Sequence, residues 1–184
     1  YQTLAGENVE TLNALKVTQV VTQCPHCLNA LKNEYPQLEG RFEVFHHSTF
    51  IAKLVDEGRL TLKPGLEGAV TFHDPCYLGR YNGEYDAPRA LLAQSAQETP
   101  VEMERSRNES FCCGAGGGRM WLEENIGTRV NEERVRQAAQ TGAKTIATAC
   151  PFCMTMIEDG LRQMGREEEM KVKDVAEVVL DSLA

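Results

Sequence analysis

The stretch Ile146-Ala-Thr-Ala-Cys150-Pro-Phe-Cys153 contains the signal from which the fold of this chain can be predicted. Residues 144–148 predict a strand, and residues 154–164 predict a helix. The Cys-Pro-Phe-Cys motif therefore follows the carboxyl end of a strand and precedes a helix. Because open α/β sheets bind their ligands at that edge, we expect both thiols to belong to a binding site.

A second copy of the same stretch occurs earlier in the chain. Residues 20–27, Val-Val-Thr-Gln-Cys-Pro-His-Cys, align with residues 146–153 at an offset of 126. The likeness extends beyond the cysteines, since Leu31 matches Ile157 at the same offset. A repeat at a fixed offset indicates an internal duplication of one structural unit.

The duplication also predicts the domain organisation. The same offset would place equivalents of Cys76 and Cys112 before Tyr1, so we expect the chain to be a fragment. In this interpretation residues 1–66 form the C-terminal part of a first repeat, and residues 67–184 form a complete second repeat. A connector rich in glycine separates the two.

Five of the seven cysteines form one constellation in the second repeat: Cys76, the adjacent pair Cys112 and Cys113, and the pair Cys150 and Cys153. A thiolate is a soft ligand that suits iron, and an iron–sulfur cluster requires several thiolates that converge on one point. The pattern therefore favours these residues as the ligands of a [4Fe–4S]-type site.

Other chemistries remain open for the cysteine pairs. Zinc binds well to thiolates from two Cys-x-x-Cys motifs, but five sulfurs exceed the requirement of a tetrahedral site. Taken alone, Cys24 and Cys27 also match the dithiol of a thioredoxin-like enzyme. We expect this first pair to hold zinc or no metal, because its other ligands would precede the chain.

The run Gly114-Ala-Gly-Gly-Gly118 directly follows the adjacent cysteines. Adjacent side chains in an extended segment point to opposite sides, so both thiols can serve one site only if the backbone turns sharply. Glycine permits such a turn, which makes Gly114, Gly116, Gly117 and Gly118 candidate cofactor-binding residues. We expect valine at Gly116 or Gly117 to impair metal binding more than folding. A phosphate-binding loop is disfavoured because no Lys-Ser/Thr follows.

Composition argues against several classes of function. The formal net charge of −8 and the pI near 5.1 argue against a nucleic-acid partner. No apolar run approaches the roughly 18 residues that a membrane span requires. Seven unevenly spaced cysteines do not match a secreted domain stabilised by disulfides, which favours a reducing, cytoplasmic location.

Alternating strand and helix patterns predict an α/β fold, a tandem repeat of small, mostly parallel sheets flanked by helices, with the first repeat truncated at its N-terminus. The individual predictions are, in order, a helix at 1–15, a buried strand at 17–22, a helix at 28–35 ended by Pro36, a strand at 42–46, a helix at 49–57 capped by Ser48, a connector at 58–68, a strand at 69–74, a helix at 87–97, a strand at 101–104, a helix at 120–141, a strand at 144–148, a helix at 154–164, an edge strand at 171–173 and a final helix capped by Asp174.

Four further side chains lie close to the cysteines in the sequence. His73 can act as a proton relay or as a hydrogen-bond donor to the site, or it can satisfy backbone groups at the strand end. Met120 and Trp121 are apolar, and we expect both to cover the site as part of the core. His26 lies inside the first cysteine motif and is expected to pack or to face solvent.

The residues around the cysteines resemble those of a known family. The segments His73-Asp-Pro-Cys-Tyr-Leu-Gly79, Phe111-Cys-Cys-Gly-Ala-Gly-Gly-Gly118 and Cys150-Pro-Phe-Cys153 resemble the cysteine-rich CCG domain. That domain occurs twice in a cysteine-rich subunit of heterodisulfide reductase and in the iron–sulfur subunits of glycolate and lactate oxidases. The pattern also resembles membrane-associated iron–sulfur oxidoreductases that pass electrons between electron-transfer flavoprotein and quinone.

The resemblance implies a cofactor, a function and partners. The five cysteines of the second repeat would hold a [4Fe–4S] cluster, which is noncubane in some members, whereas Cys24 and Cys27 match the end of an incomplete first motif. The implied function is electron transfer between a flavoprotein donor and a quinone or disulfide acceptor. Thiol–disulfide reduction at the cluster and a zinc-stabilised structural domain are the alternatives. Upstream ferredoxin-type and membrane domains would hold the full-length protein at the inner face of the membrane.

Overall fold

The computed structural model describes residues 1–123 and 125–184 and shows an α/β protein with two small parallel sheets flanked by helices. Its α-helices and strands follow in this order: α1 (Gln2–Ala14), β1 (Gln19–Thr22), α2 (Pro25–Asn29), β2 (Glu43–His46), α3 (His47–Asp56), β3 (Val70–Phe72), α4 (Cys76–Gly79), α5 (Asp86–Ser95), α6 (Val130–Ala139), β4 (Thr145–Thr148), α7 (Pro151–Gln163), β5 (Lys171–Asp174) and α8 (Val175–Leu180). The predicted α/β class with parallel sheets is confirmed. No helix within the described ranges has both the length and the apolarity needed to cross a membrane.

The first sheet consists of β1 and β2, which pair in parallel with Val20 opposite Val44. The prediction that β1 is buried is wrong, because its residues alternate between exposed and half-buried and Val21 is 46% exposed. Val20 packs against the main hydrophobic core from one face of the sheet. The β-branched composition therefore predicted the strand but not the exposure of its second face.

The second sheet has the strand order β3–β4–β5, and its neighbouring strands pair in parallel. The central strand β4 is buried along its whole length because hydrophobic clusters form on both of its faces. Ile146 packs with Val135 of α6 on one face, and Ala147 packs with Val178 of α8 on the other. Complete burial of each large aliphatic side chain stabilises the fold by roughly 1.5–3 kcal/mol.

The same sequence of elements occurs in both halves of the chain. The series α1–β1–α2–β2–α3 corresponds to α6–β4–α7–β5–α8. The register repeats as well, because Thr22 pairs with His46 as Thr148 pairs with Asp174. Strands β1 and β4 begin 126 residues apart, whereas β2 and β5 begin 128 residues apart. The elements thus follow the order that a duplication predicts, and the boundary between residues 66 and 67 stays a prediction.

The two halves meet where β2 and β5 end. His46 and Asp174 occupy equivalent positions there and cap α3 and α8 with their side chains. Nε2 of His47 donates to Oδ1 of Asp174 across the junction at 2.7 Å. The prediction that Ser48 caps α3 is wrong, because the His46 ring accepts the amide hydrogen of Ser48. Serine is the commoner capping residue, which is why the sequence suggested it.

The long helix predicted at 120–141 is much shorter in the structure. Helix α6 begins at Val130, and residues 116–121 form a kinked 3₁₀ segment before it. The cause is glycine, since φ is +67° at Gly117 and +71° at Gly127, values that a right-handed helix excludes.

Three other elements differ from their predicted form. The chain does not leave the helical region before Pro36, because α2 continues through a π-type turn into a 3₁₀ turn that contains this proline. Helix α7 begins at Pro151, a residue whose fixed φ suits the first helical position. The strand predicted at 101–104 is replaced by an isolated bridge between Val101 and Thr71.

Helices α6 and α7 approach each other closely at Gly160. A Cβ atom there would lie 2.9 Å from Cγ2 of Val135 and 3.1 Å from the carbonyl oxygen of Asn131. We therefore expect Gly160→Ala to lower the free energy of unfolding by about 1–3 kcal/mol, the usual cost of overpacking. Chemical denaturation followed by circular dichroism measures this change.

Gly6 in α1 provides the matched control for this substitution. A Cβ atom at Gly6 would meet nothing within 4 Å, so Gly6→Ala should be neutral or stabilising because alanine has the higher helix propensity. If Gly160→Ala were as harmless as Gly6→Ala, the close contact between α6 and α7 would be disproved.

Candidate metal centre

The carboxyl ends of β3 and β4 bring three of the five cysteines to one edge of the sheet. β3 and β4 are neighbours, so the segments that follow them emerge side by side. Cys76 opens the short helix α4 after β3. Cys150 precedes α7 after β4, and Cys153 lies in the first turn of that helix. The parallel pairing thus determines where these thiols meet.

The loop that carries the adjacent cysteines is anchored by Asp74. The Asp74 carboxylate accepts hydrogen bonds from Arg89 at 2.7 and 2.9 Å and from the Arg107 amide at 2.8 Å. Its carbonyl accepts a hydrogen bond from the Ser110 hydroxyl at 3.2 Å. A bidentate arginine–carboxylate pair is strong and directional. Asp74 therefore fixes the end of β3 relative to the segment that leads into Cys112.

Three of the sulfurs form a buried group. Cys113, Cys150 and Cys153 are at most 5% exposed and cluster with Met156. The Sγ atoms of Cys113 and Cys153 and a ring nitrogen of His73 all lie within 4.8 Å of one another. Such convergence of soft ligand atoms in the protein interior is typical of a metal site.

The rim of this group is more open than the sequence suggested. Met120 packs against the buried sulfurs as predicted, but Trp121 is 80% exposed, so its assignment to the core is wrong. Cys76 is partly buried and Cys112 is exposed. The sulfur group is therefore closed from the core side and accessible from the side of Cys112.

Hydrogen bonds among the thiols concentrate negative charge on Cys113. The pKa of the Cys113 thiol is lowered because Cys112, Cys153 and the His73 ring all hydrogen-bond to its sulfur. The same bonds to Cys113 raise the pKa of Cys112 and of Cys153. Cys113 is therefore the thiol that ionises most readily in the group.

The remaining two thiols belong to the same electrostatic environment. A hydrogen bond from Cys153 lowers the pKa of Cys150. Burial raises the pKa of Cys76, and the charges of Cys113 and Cys150 raise it further. Thiolates crowded in this way repel one another, and a bound cation relieves that repulsion and releases their protons. The donor set thus fits a thiolate-ligated metal centre.

The sharp turn after the adjacent cysteines occurs at Gly114. Its φ is +94°, and its amide donates to the Sγ atom of Cys112 at 3.3 Å. A Cβ atom at Gly114 would lie 3.3 Å from the amide nitrogen of Asn131 and from Cβ of Val130. Both the backbone conformation and the available space therefore require glycine at this position.

The other glycines of the run differ from one another. Gly116 does not have a positive φ, and a Cβ atom there would meet nothing within 4 Å. The steric argument against valine at Gly116 is therefore wrong. Gly117 and Gly118 have φ of +67° and +75° but open surroundings, so only the backbone part of the argument applies to them. The role of Gly116, Gly117 and Gly118 in cofactor binding stays a prediction.

Cys24 and Cys27 form a separate and more exposed pair at the start of α2. Burial raises the pKa of Cys24, whose Sγ atom lies 3.7 Å from Nδ1 of His26. The ring of His26 packs 4.2 Å from the ring of Tyr77 and 5.4 Å from that of Phe152, measured between centroids. The first motif therefore lies beside the second site without adding a sulfur to its buried group.

Arg134 contacts the site, and the sequence interpretation missed it. It is 1% exposed, and its Nε donates to Nδ1 of His73 at 2.9 Å. A signal was present in the sequence, because Asn131, Arg134, Val135 and Ala138 follow the spacing of one helix face. An arginine on the apolar face of a helix indicates a buried polar contact.

A parallel α/β fold with thiols converging at its strand ends defines a cysteine-rich protein of the iron–sulfur oxidoreductase class. The sequence profile of the cysteine-rich domain CCG matches residues 1–32 and 70–158, and these two segments contain all seven cysteines. The chain belongs to the CCG cysteine-rich domain family. The family suggested by the sequence motifs is thus confirmed.

Curated relatives match nearly the whole chain. It is 46% identical over 186 residues to the EtfAB:quinone oxidoreductase of Syntrophomonas wolfei, which covers 97% of the chain and 26% of the relative. It is 43% identical to the probable iron-sulfur-binding oxidoreductase FadF of Bacillus subtilis, covering 100% and 26%. It is 35% identical to one subunit of the dihydromethanophenazine:CoB--CoM heterodisulfide reductase of Methanosarcina barkeri, covering 98% and 44%. The chain thus spans only a quarter to less than half of the length of these relatives.

Proposed function

We propose that Cys76, Cys112, Cys113, Cys150 and Cys153 hold a [4Fe–4S] cluster, in a noncubane form, and that the chain is the electron-transfer portion of an oxidoreductase. The observation that carries this proposal is the convergence of thiols from two neighbouring strand ends and the Gly114 turn on one buried group. A bound cluster would accept and release electrons one at a time.

The number and type of donors favour iron–sulfur over zinc. A structural zinc site is saturated by four ligands in a tetrahedron, whereas five mutually perturbed thiols are present here. The neighbouring polar side chain, His73, faces sulfur and not solvent. These features support a cluster that requires many sulfur ligands.

The residues of the chain have distinct tasks in this proposal. Cys113, Cys150 and Cys153 exclude water from one side of the site because they are buried. Gly114 allows both adjacent thiols to approach the same centre, and Asp74 holds their loop against the end of β3. Cys112 is exposed and leaves one side accessible to an electron-transfer partner.

The partners follow from the relatives by analogy. One relative is named for electron-transfer flavoprotein and quinone, and another for a heterodisulfide. We accordingly propose a flavoprotein donor and a quinone or disulfide acceptor, with residues 1–66 and 67–184 as portions of two CCG repeats. Ferredoxin-type and membrane domains elsewhere in the full-length protein would place it at the inner face of the cytoplasmic membrane. Cys24 and Cys27 would hold zinc or no metal unless the rest of their site is present.

A second candidate is reduction of a disulfide substrate at the cluster itself. The 35% identity to a heterodisulfide reductase subunit and the exposure of Cys112 favour it. The two candidates are distinguished by adding an organic disulfide to the reduced protein. Stoichiometric formation of thiol would support the second, and inertness towards disulfide with rapid quinone reduction would support the first.

The metal content tests the proposal directly. Protein isolated without oxygen is expected to contain about four irons with matching sulfide per site and to absorb broadly in the visible range. Elemental analysis and an electronic spectrum measure both quantities. Colourless protein with stoichiometric zinc would contradict both redox functions and would favour a zinc-stabilised structural domain.

A further inference from the structure

His73, Arg134 and Cys113 form a chain of polar groups in the protein interior. His73 and Arg134 are each 1% exposed, and Cys113 is 5% exposed. They come from different elements, since His73 follows β3 and Arg134 lies in α6. Buried polar groups of this kind are costly unless each is hydrogen-bonded, so the direction of every bond in the chain is constrained.

The guanidinium of Arg134 is held in one orientation. Its Nη1 donates to the carbonyl of Arg105 and to Oε1 of Gln137, both at 3.0 Å. Its Nη2 donates to the Ser110 hydroxyl at 3.3 Å. With these donors engaged, Nε–H points at Nδ1 of His73 at 2.9 Å. Burial lowers the pKa of Arg134 to about 10, so the group remains protonated at neutral pH.

This arrangement selects one tautomer of His73. Because arginine only donates hydrogen bonds, Nδ1 of His73 must accept and therefore carries no proton. Burial and the neighbouring Arg134 charge also favour the uncharged ring. The single proton of a neutral imidazole is then on Nε2, the nitrogen left to hydrogen-bond with the sulfur of Cys113. A protonated Nε2 has no lone pair with which to bind a metal ion.

We propose that His73 is not a metal ligand, although it lies among the ligand atoms, and that its Nε2–H donates to the Cys113 sulfur in an orientation that Arg134 imposes. This inference rests on the proposed iron–sulfur function. A hydrogen bond to a ligand sulfur and a buried positive charge both stabilise the more negative, reduced state of a cluster. His73 and Arg134 are therefore positioning residues that raise the reduction potential.

The test compares His73→Leu with His73→Gln in protein isolated without oxygen. Leucine removes the donor at similar volume, and glutamine can return an N–H near the position of Nε2. We expect both variants to keep most of their iron. We expect the reduction potential, measured by spectroelectrochemical titration, to fall in His73→Leu and to recover towards the wild-type value in His73→Gln. A merely structural residue would not produce this difference.

Two results would overturn the inference. Loss of iron from both variants, while their circular dichroism stays native, would make His73 a ligand. Full iron content with an unchanged potential in His73→Leu would exclude the hydrogen bond. A second measurement needs neither a variant nor a metal: ¹⁵N shifts of the histidine rings in the metal-free protein should show protonated Nε2 and unprotonated Nδ1 for His73. The opposite tautomer would refute the inference even if wild-type protein binds no iron, a result that by itself would contradict only the proposed function.

Discussion

Replacing Cys113 with alanine should remove nearly all iron from the protein. Cys113 is the sulfur to which Cys112, Cys153 and His73 all hydrogen-bond, so it stands where the contributing segments meet. Loss of an outer-shell partner typically costs roughly 10–100-fold in metal affinity, and loss of a thiolate ligand should cost more. Iron and sulfide analysis after anaerobic isolation measures the effect. Cys112→Ala should behave in the same direction.

Cys27→Ala is the matched control for this experiment. Cys27 is exposed and lies outside the buried sulfur group, so its removal should leave the iron of the second site unchanged. The fold should survive in both variants, because alanine at Cys113 removes only one buried sulfur atom and leaves a small void. Wild-type iron content in both Cys113→Ala and Cys112→Ala would disprove the set of five ligands.

The strand–cysteine–helix pattern was predictable because its determinants are local. β-branched residues formed β1 and β4 within two residues of their expected bounds, and Pro25 and Pro151 start the helices that follow. Parallel pairing of β3 with β4 then brings Cys76 close to Cys150. In this part of the chain, side-chain pattern and backbone preference agree, and each element follows from its own residues.

The contacts that the sequence did not indicate join residues far apart in the chain. His47 meets Asp174 across 127 positions, and Arg134 meets His73 across 61. Such pairs depend on how the two halves and helix α6 dock, which no local propensity determines. Asp174 as the cap of α8 was predicted because capping is local, whereas its bond to His47 is not.

The region between the adjacent cysteines and α6 shows a different limit. Apolar spacing alone suggested a helix from Met120, but spacing ignores the positive φ that Gly117 and Gly127 adopt. Trp121 consequently lies in an irregular segment and is exposed, although its size and apolarity favoured the core. In a glycine-rich stretch the backbone preference outweighs the hydrophobic pattern.

The most informative substitution in this region compares two glycines that are only two positions apart. Gly114→Val should reduce iron content severely, because φ of +94° is strained for a β-branched residue and a Cβ atom would press on the backbone of Asn131. Conformational strain of this kind costs about 1–3 kcal/mol, to which the steric contact adds. Gly116→Val should leave iron content near that of the wild type, since its surroundings are open.

Measuring thermal unfolding and reconstituted iron on the same two variants separates a binding effect from a folding effect. Most of the stability should come from the apolar faces of β3 and β4, including Val70, Phe72 and Ile146, which lie away from the turn. Gly114→Val should therefore lose iron at a melting temperature only moderately below that of Gly116→Val. Parallel loss of iron and of cooperative unfolding would instead mean that the Gly114 turn is needed for folding itself. Equal iron loss in Gly116→Val would mean that the bound cluster approaches the backbone beyond the single turn at Gly114.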